Sequence, residues 1–253
     1  MYTRTKLLLG EEEFTKLTKK HVMVIGNGGV GSHAAIALAR MGIGKLTLMD
    51  FDVINITNLN RHAQATKSNV GKSKTLELKA MIEDFSETKV QAIVEKFTAE
   101  TRDILKEVHP DFVIDAIDIV THKLELIKTC QELGIPFITA LGAGNRQDPR
   151  KLDITKLSKT QGDPLAKVMR HEARNYMRMY RDVNRLPPKH GQRSIGALSF
   201  KKEPVELDEL KSMTKEELIQ ELIKARITEA RLKKGYEVKG DGTVILYASK
   251  TTK

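Results

Sequence analysis

The chain has 253 residues and a formal net charge of +10 at pH 7, which favours a polyanionic partner. This length can bury a sizeable core, in one large domain or in one domain with an appendage. No apolar run approaches the roughly 18 residues that a membrane span needs, and the N-terminus lacks a secretory segment, so we expect a cytoplasmic protein with no membrane partner. The single cysteine, Cys130, excludes an internal disulfide and a zinc site built from several cysteines.

The first predicted elements are a strand, a glycine-rich turn and a helix. An apolar run at residues 21–25 precedes Gly-Asn-Gly-Gly-Val-Gly, and a second apolar strand at 45–49 leads into Asp50 and Asp52. This order places a nucleotide phosphate at a helix N-terminus and a ribose hydroxyl against Asp50, while Asp52 can orient its neighbours. The predicted nucleotide-binding glycines are Gly26, Gly28, Gly29 and Gly31. Because many dehydrogenases carry the same pattern, the pattern does not identify which nucleotide is bound.

Polar residues after Asp50 narrow the prediction. Asn58 and Arg61 lie in the next loop, and the guanidinium of Arg61 suits phosphate oxygens. Lys74 falls near the start of a predicted helix, where its ammonium can reach a β- or γ-phosphate. These side chains favour nucleotidyl transfer over hydride transfer, because their role is to stabilise developing negative charge.

The following segments predict a parallel sheet. Strand-like runs at residues 90–94, 111–115 and 136–140 alternate with amphipathic stretches. Such alternation is typical of an α/β, Rossmann-like fold with a mainly parallel sheet and crossover helices. Asp118 lies just beyond the strand at 111–115, at the edge where such sheets bind ligands, so we expect it to hold Mg²⁺ facing the phosphates. Cys130 lies on an amphipathic pattern and is predicted to be a half-buried helix residue, not a nucleophile.

Residues 1 to about 175 resemble the ThiF/MoeB/HesA group of ubiquitin-activating-type adenylating enzymes. The motifs that carry the resemblance are RTKLLLG at 4–10, GNGGVGS at 26–32, LARMGIG at 38–44, NLNR at 58–61, NVGKSK at 69–74, VIDAID at 113–118, GAG at 142–144, DP at 148–149 and KTQGDPLA at 159–166. The last blocks resemble the members that act on tRNA. The paired-cysteine zinc motifs typical of sulfur-carrier activators are absent from the sequence.

This resemblance implies ATP-dependent dehydration and cyclisation of threonylcarbamoyladenosine in tRNA, started by adenylation of its carboxylate with ATP and Mg²⁺. Carried over by motif, the glycine turn cradles the nucleotide and Asp50 holds its ribose. Asn58, Arg61 and Lys74 bind phosphates, and Asp118 binds the metal. The resemblance therefore makes Arg61, Lys74 and Asp118 the catalytic candidates.

The resemblance also implies a homodimer, in which Arg4 reaches the site of the partner subunit. Three other functions stay open at this point. The chain can adenylate a small sulfur-carrier protein, act as an NAD-dependent oxidoreductase, or be an inactive remnant fused to a nucleic-acid-binding helix.

The character of the chain changes near Asn175. Residues 176–253 hold most of the basic excess, a charged helical pattern over 214–234 and a strand-like run at 243–247. We therefore predict an adenylating domain over residues 1–175 and a basic, mainly helical extension over residues 176–253. Residues 204–253 resemble the helical C-terminal part of an insertion-sequence transposase helper protein, which implies a fused reading frame and DNA contact. The alternative is an ordinary charged helical extension.

Overall fold

The computed structural model describes residues 1–142, 148, 152–184, 196–200, 236–238 and 244–246. The chain divides into two units, Met1–Lys202 and Glu203–Lys253. In the described part of the chain, no helix is both long enough and apolar enough to cross a membrane.

Seven strands form the sheet of the first unit. They are β1 (His21–Ile25), β2 (Lys45–Met49), β3 (Lys89–Ile93), β4 (Phe112–Asp115), β5 (Phe137–Ala140), β6 (Leu152–Lys156) and β7 (Gly196–Phe200). Their order is β3-β2-β1-β4-β5-β7-β6, and each neighbouring pair is parallel except β6 with β7. The predicted α/β, Rossmann-like fold with a mainly parallel sheet is confirmed.

Helices connect the parallel strands. The described helices are α1 (Thr3–Leu9), α2 (Glu11–Leu17), α3 (Gly31–Met41), α4 (Lys74–Phe85), α5 (Ile104–Val108), α6 (Val120–Leu133) and α7 (Pro164–Asn184). The helices α3, α4, α5 and α6 each follow one of the first four strands and lead to the next strand. Such crossovers are required because parallel neighbours cannot be joined by a tight turn.

The core lies on both faces of the sheet, which explains why β1 is a continuous apolar run. Alternate residues of a strand point to opposite faces. Val24 accordingly packs with Ala35 of α3 and Leu78 of α4, whereas Met23 packs in a second cluster with Leu126 of α6. The two faces together fix β1 in the interior of the sheet, between β2 and β4.

Cys130 belongs to the second cluster and is fully buried, so the expectation of a half-buried position understates its burial. Burial raises the pKa of its thiol to about 12. Because the thiolate is the nucleophilic form, Cys130 is unsuited to a covalent step, as predicted.

The chain after β5 contains strands that the sequence did not predict. Both β6 and β7 belong to the sheet, and α7 continues through residue 175. In the second unit, β8 (Tyr236–Val238) pairs with β9 (Val244–Leu246), which matches the predicted strand at 243–247. The predicted helix over 214–234 lies outside the described residues. The division at residue 175 and the separate origin of the extension stay predictions, while the unit boundary follows Lys202.

Candidate functional site

A cavity of about 740 Å³ opens at the carboxyl ends of the parallel strands. From β1 the chain continues to β2 and β3 on one side of β1, and it then crosses to β4 on the other side. Open α/β sheets bind ligands at such a switch point. Most of the predicted site residues line this cavity: Gly26, Gly28, Gly29, Asp50, Asp52, Asn58, Arg61, Lys74 and Asp118. Gly31 is not among the lining residues; it begins α3 behind the turn. The fold therefore brings distant segments of the sequence to one place.

The glycine turn is shaped by close contact between backbones. Gly26 has a φ of +90°, and a Cβ at this position would lie 2.5 Å from the carbonyl oxygen of Ala116. The turn can therefore lie directly against the loop after β4. Without side chains in the way, the backbone amides before α3 are accessible to a phosphate at the helix N-terminus.

Asp50 is held in place by backbone amides on both sides. The amide of Asn27 donates to Oδ2 at 2.7 Å, and the amide of Asp52 donates to Oδ1 at 2.9 Å. Burial raises the pKa of this carboxyl group, while those two hydrogen bonds oppose the rise. Each carboxylate oxygen can accept more than one hydrogen bond, so Asp50 keeps the capacity to accept ribose hydroxyls.

Lys74 is a buried cation beside the glycine turn. Only 7% of the residue is exposed, and its ammonium lies 2.7 Å from Oδ2 of Asp52. It is therefore not a solvated helix lysine. Asp52, which is half-exposed, orients the ammonium and balances its charge in the absence of a phosphate. An ammonium has three donors, so this arrangement is suited to a phosphate oxygen as a further acceptor.

Asn58 and Arg61 belong to the loop between β2 and α4. Oδ1 of Asn58 accepts the amide of Asn55, which closes the short 3-10 helix Ile56–Asn58. The guanidinium of Arg61 donates through Nη1 to the carbonyl oxygen of Thr57 at 2.9 Å and to Asn60 at 3.1 Å. Both residues line the cavity, and their contact with phosphates stays a prediction.

Asp118 lies in the loop between β4 and α6, where it is exposed at the cavity. Among the described residues, no group of three His, Cys, Asp or Glu side chains is arranged to hold a metal ion. The single carboxylate of Asp118 fits Mg²⁺, which commonly binds one carboxylate together with substrate phosphates and water. It does not fit zinc, which requires several protein ligands.

An aromatic ring also lines the cavity. Phe51 is 47% exposed, and the ammonium of Lys96 lies 5.2 Å from the centre of its ring. A flat, exposed ring that directly follows Asp50, the residue predicted to face a ribose, is a suitable surface for a nucleotide base.

A buried polar network supports the turn and was not predicted from the sequence. The side chain of Asn27 donates to Thr75, and Thr75 donates to the carbonyl oxygen of Asp50 at 2.8 Å. Gln64 donates to the carbonyl oxygens of Asn27 and Lys74. The network therefore joins the glycine turn to the start of α4. Its members are ordinary polar residues without a recognisable spacing, so only the folded loop reveals them.

His62 also lines the cavity and was missed, although it directly follows Arg61. It is 6% exposed, and within the described residues its Nδ1 atom has no hydrogen-bond partner. Burial, together with the positive charges of Lys74 and Arg61, lowers the pKa of its imidazole to about 4. His62 is therefore neutral at pH 7.

His62 should make the protein less stable as the pH falls from 6.5 to about 4. In this window the imidazole binds a proton in the unfolded chain, where its pKa is 6.5, but not in the folded protein. The unfolded state is thus favoured by protonation, and we expect a loss on the order of 1 kcal/mol from this group. Urea unfolding at pH 7 and pH 5 should show that His62→Gln loses less unfolding free energy between the two pH values than the unchanged protein does. The control is His171→Gln at an exposed position of α7; equal losses in both variants would contradict the assignment.

Known proteins are similar to this chain in sequence and in fold. The ThiF family model matches residues 2–180. A tRNA threonylcarbamoyladenosine dehydratase from Bacillus subtilis is 42% identical over 174 residues, which cover 68% of each chain. The enzyme of the same name from Escherichia coli is 39% identical over 172 residues, covering 68% of this chain and 64% of that protein. A crystal structure of Escherichia coli TcdA in complex with ATP has a TM-score of 0.71 at 34% identity, and the match covers 81% of this chain and 82% of that one. The chain therefore belongs to the ThiF family.

Proposed function

We propose that this protein is an ATP-dependent adenylating enzyme that dehydrates and cyclises threonylcarbamoyladenosine in tRNA. The observation that carries the proposal is the meeting of Lys74, Arg61 and the glycine turn in one cavity, next to the carboxylate of Asp50. Two cations and a row of backbone amides suit a triphosphate. The relatives named above act on threonylcarbamoyladenosine, and the TcdA structure contains ATP.

The proposed reaction has two steps. In the first, a carboxylate oxygen of the threonylcarbamoyl group forms a bond to the α-phosphorus of ATP, and the bond to pyrophosphate breaks. In the second, a nucleophile within the same group attacks the activated acyl carbon and releases its proton, and AMP leaves with the former carboxylate oxygen. The net loss is one water molecule from the modified base. The first step places negative charge on the departing pyrophosphate, where Lys74 and Arg61 can stabilise it.

Asp118 is the residue proposed to hold Mg²⁺. It lies on the loop after β4 and is exposed at the cavity that Lys74 and Arg61 also line. Bound Mg²⁺ would neutralise phosphate charge during the transfer. The residues of this chain then divide the tasks: Asp50 fixes the ribose, the glycine turn fixes the phosphates, and the two cations stabilise the leaving group.

The alternatives are weaker on the same geometry. A nicotinamide-dependent oxidoreductase needs no cation as deeply buried as Lys74 beside its glycine turn. A carrier-protein adenylating enzyme would use the same cavity, but the relatives that share the most sequence with this chain are named for tRNA. An inactive remnant would have no reason to keep Lys74, Asp52 and Asp50 in one connected arrangement.

The proposed partners follow from the substrate. tRNA is a polyanion, which agrees in sign with the net charge of +10. Because the substrate is tRNA, we place the activity in the cytoplasm. A homodimer with Arg4 near the partner's site, and DNA contact through residues 176–253, complete the proposal.

Nucleotide titration and pyrophosphate exchange test this function. We expect binding of ATP with Mg²⁺ and no comparable binding of NAD, because Lys74 and Arg61 suit a triphosphate and NAD has only two phosphates. Pyrophosphate exchange into ATP should require tRNA that carries threonylcarbamoyladenosine. The control is the same tRNA without the modification.

Two results would contradict the proposal. Tight NAD binding without ATP binding would favour an oxidoreductase. Pyrophosphate exchange that does not depend on the modified tRNA but is stimulated by a carrier-protein C-terminus would favour the sulfur-carrier alternative.

A further inference from the structure

A completely buried ion pair lies beneath the cavity. Lys123 of α6 and Asp115 at the end of β4 both have no exposed side-chain surface, and Nζ lies 2.8 Å from Oδ2. The ammonium also donates to the hydroxyl of Thr139 and to the carbonyl oxygen of Ala140, each at 2.9 Å. All three of its protons therefore have acceptors, as a buried ammonium requires.

The carboxylate of Asp115 is equally well satisfied. Oδ2 accepts from Lys123 and from the hydroxyl of Thr139, and Oδ1 accepts the amide of Ile117 at 3.1 Å. One charged pair thus connects the end of β4, the loop after it, the start of α6 and the end of β5.

Stability alone gives little reason for such a pair. Removing two charges from water costs free energy, and well-packed apolar residues of similar volume are often as stabilising or more so. The surroundings of the pair are apolar enough for that alternative: Leu126 of α6 and Val113 of β4 belong to one hydrophobic cluster. The pair instead fixes the positions of backbone segments, because its hydrogen bonds hold the amide of Ile117 and the carbonyl oxygen of Ala140.

The segments fixed by the pair are those that form one wall of the cavity. Residues 116–119, which include Asp118, follow Asp115 directly, and the amide of Ile117 is bound to it. Residues 140–142 line the cavity from β5, and the carbonyl oxygen of Ala140 is bound to Lys123. Asp50 and the glycine turn, which also line the cavity, are held by different hydrogen bonds.

We propose that Asp115, Lys123 and Thr139 are positioning residues that hold Asp118 at the distance from the nucleotide phosphates that metal-assisted transfer requires. The inference rests on the proposed function. None of the three touches the cavity, so they act through the loop at 116–119. The pair should therefore govern how ATP binding responds to Mg²⁺ and how fast transfer occurs. It should have little effect on the affinity for ATP itself.

The test compares Asp115→Asn/Lys123→Met with the unchanged protein. The double variant removes both charges together, so no buried charge is left without a partner. We expect a cooperative melt and metal-free ATP affinity close to that of the unchanged protein. The gain in ATP affinity on adding Mg²⁺ should be lost, and kcat should fall about 100-fold, the effect of a displacement near 1 Å.

Two further variants sharpen the result. Thr139→Val removes only the bridging hydroxyl and should cause a smaller loss of kcat and of Mg²⁺ response in the same direction. Lys128→Met, on the same helix but paired with Glu125 outside the cavity lining, should change neither.

Loss of fold in the double variant would assign the pair to stability and overturn the proposal. So would an unchanged Mg²⁺ response and kcat in a folded Thr139→Val protein. The binding measurements need no turnover. Unchanged protein that binds ATP with Mg²⁺ but exchanges no pyrophosphate would contradict the proposed function, while the Mg²⁺ response of the variants would still decide the positioning role.

Discussion

Asp118→Asn and Lys74→Met are each expected to reduce AMP formation at least about 100-fold, the usual loss when one preorganised charge is removed from a transfer site. Asp118 is exposed at the cavity, so its replacement removes a negative charge without disturbing the core. Methionine at position 74 keeps the length of the buried stem and removes the ammonium. The partner left behind, Asp52, is 48% exposed and remains hydrated.

The melting temperature should therefore stay close to that of the unchanged protein in both variants. The measurements are the rate of AMP release with modified tRNA and thermal unfolding. Matched controls are Asp84→Asn and Lys79→Met, which remove the same charges from an exposed and a half-buried position of α4 outside the cavity lining. If a site variant is as active as its control variant, the replaced residue, Asp118 or Lys74, has only an ordinary surface or structural role. A large drop in melting temperature would show that the side chain supports the fold instead.

The central part of the fold could be predicted because each signal was local. The apolar runs of β1 and β2 are continuous, since both faces of these strands are covered, and glycines follow the first run directly. Asp50 and Asp118 could be placed because each comes just after a strand, and parallel strands end at the same edge. Lys74 was harder to assign, because a lysine near the start of a helix is common. Its burial depends on Asp52, which is 22 residues away.

The features that were missed depend on long-range contacts. Strand β6 alternates exposed and half-buried residues and includes Asp153 and Lys156, so it offers no apolar run that would distinguish it from a loop. Its position at the sheet edge, paired with β7 far along the chain, decides its structure. Likewise, Lys123 has the sequence context of a solvated helix lysine. Only the approach of β5 to β4 places Thr139 and Ala140 around its ammonium.

Gly31→Ala is expected to prevent stable folding, because a Cβ at position 31 would lie 1.8 Å from the carbonyl oxygen of Gly26. That atom belongs to the backbone of the turn, which is itself fixed against Ala116, so neither side can move without separating β1 from β4. We expect destabilisation of at least about 3 kcal/mol, in the range of severe overpacking. Circular dichroism and urea unfolding measure it directly.

Gly28→Ala is the matched comparison. We expect it to leave the stability nearly unchanged and to weaken ATP binding. A Cβ at position 28 would meet Nε2 of His62 at 3.6 Å, an ordinary contact, so the fold should tolerate it. The methyl group would nevertheless face the cavity beside the turn and hold a phosphate away from the backbone amides. Stability close to that of the unchanged protein, with ATP affinity reduced at least about tenfold, is therefore expected, since hydrogen bonds to a charged phosphate contribute about 1.5–3 kcal/mol each. If Gly28→Ala binds ATP normally, the phosphates do not lie on this turn. If Gly31→Ala folds normally, the close contact between the turn and α3 does not constrain the structure.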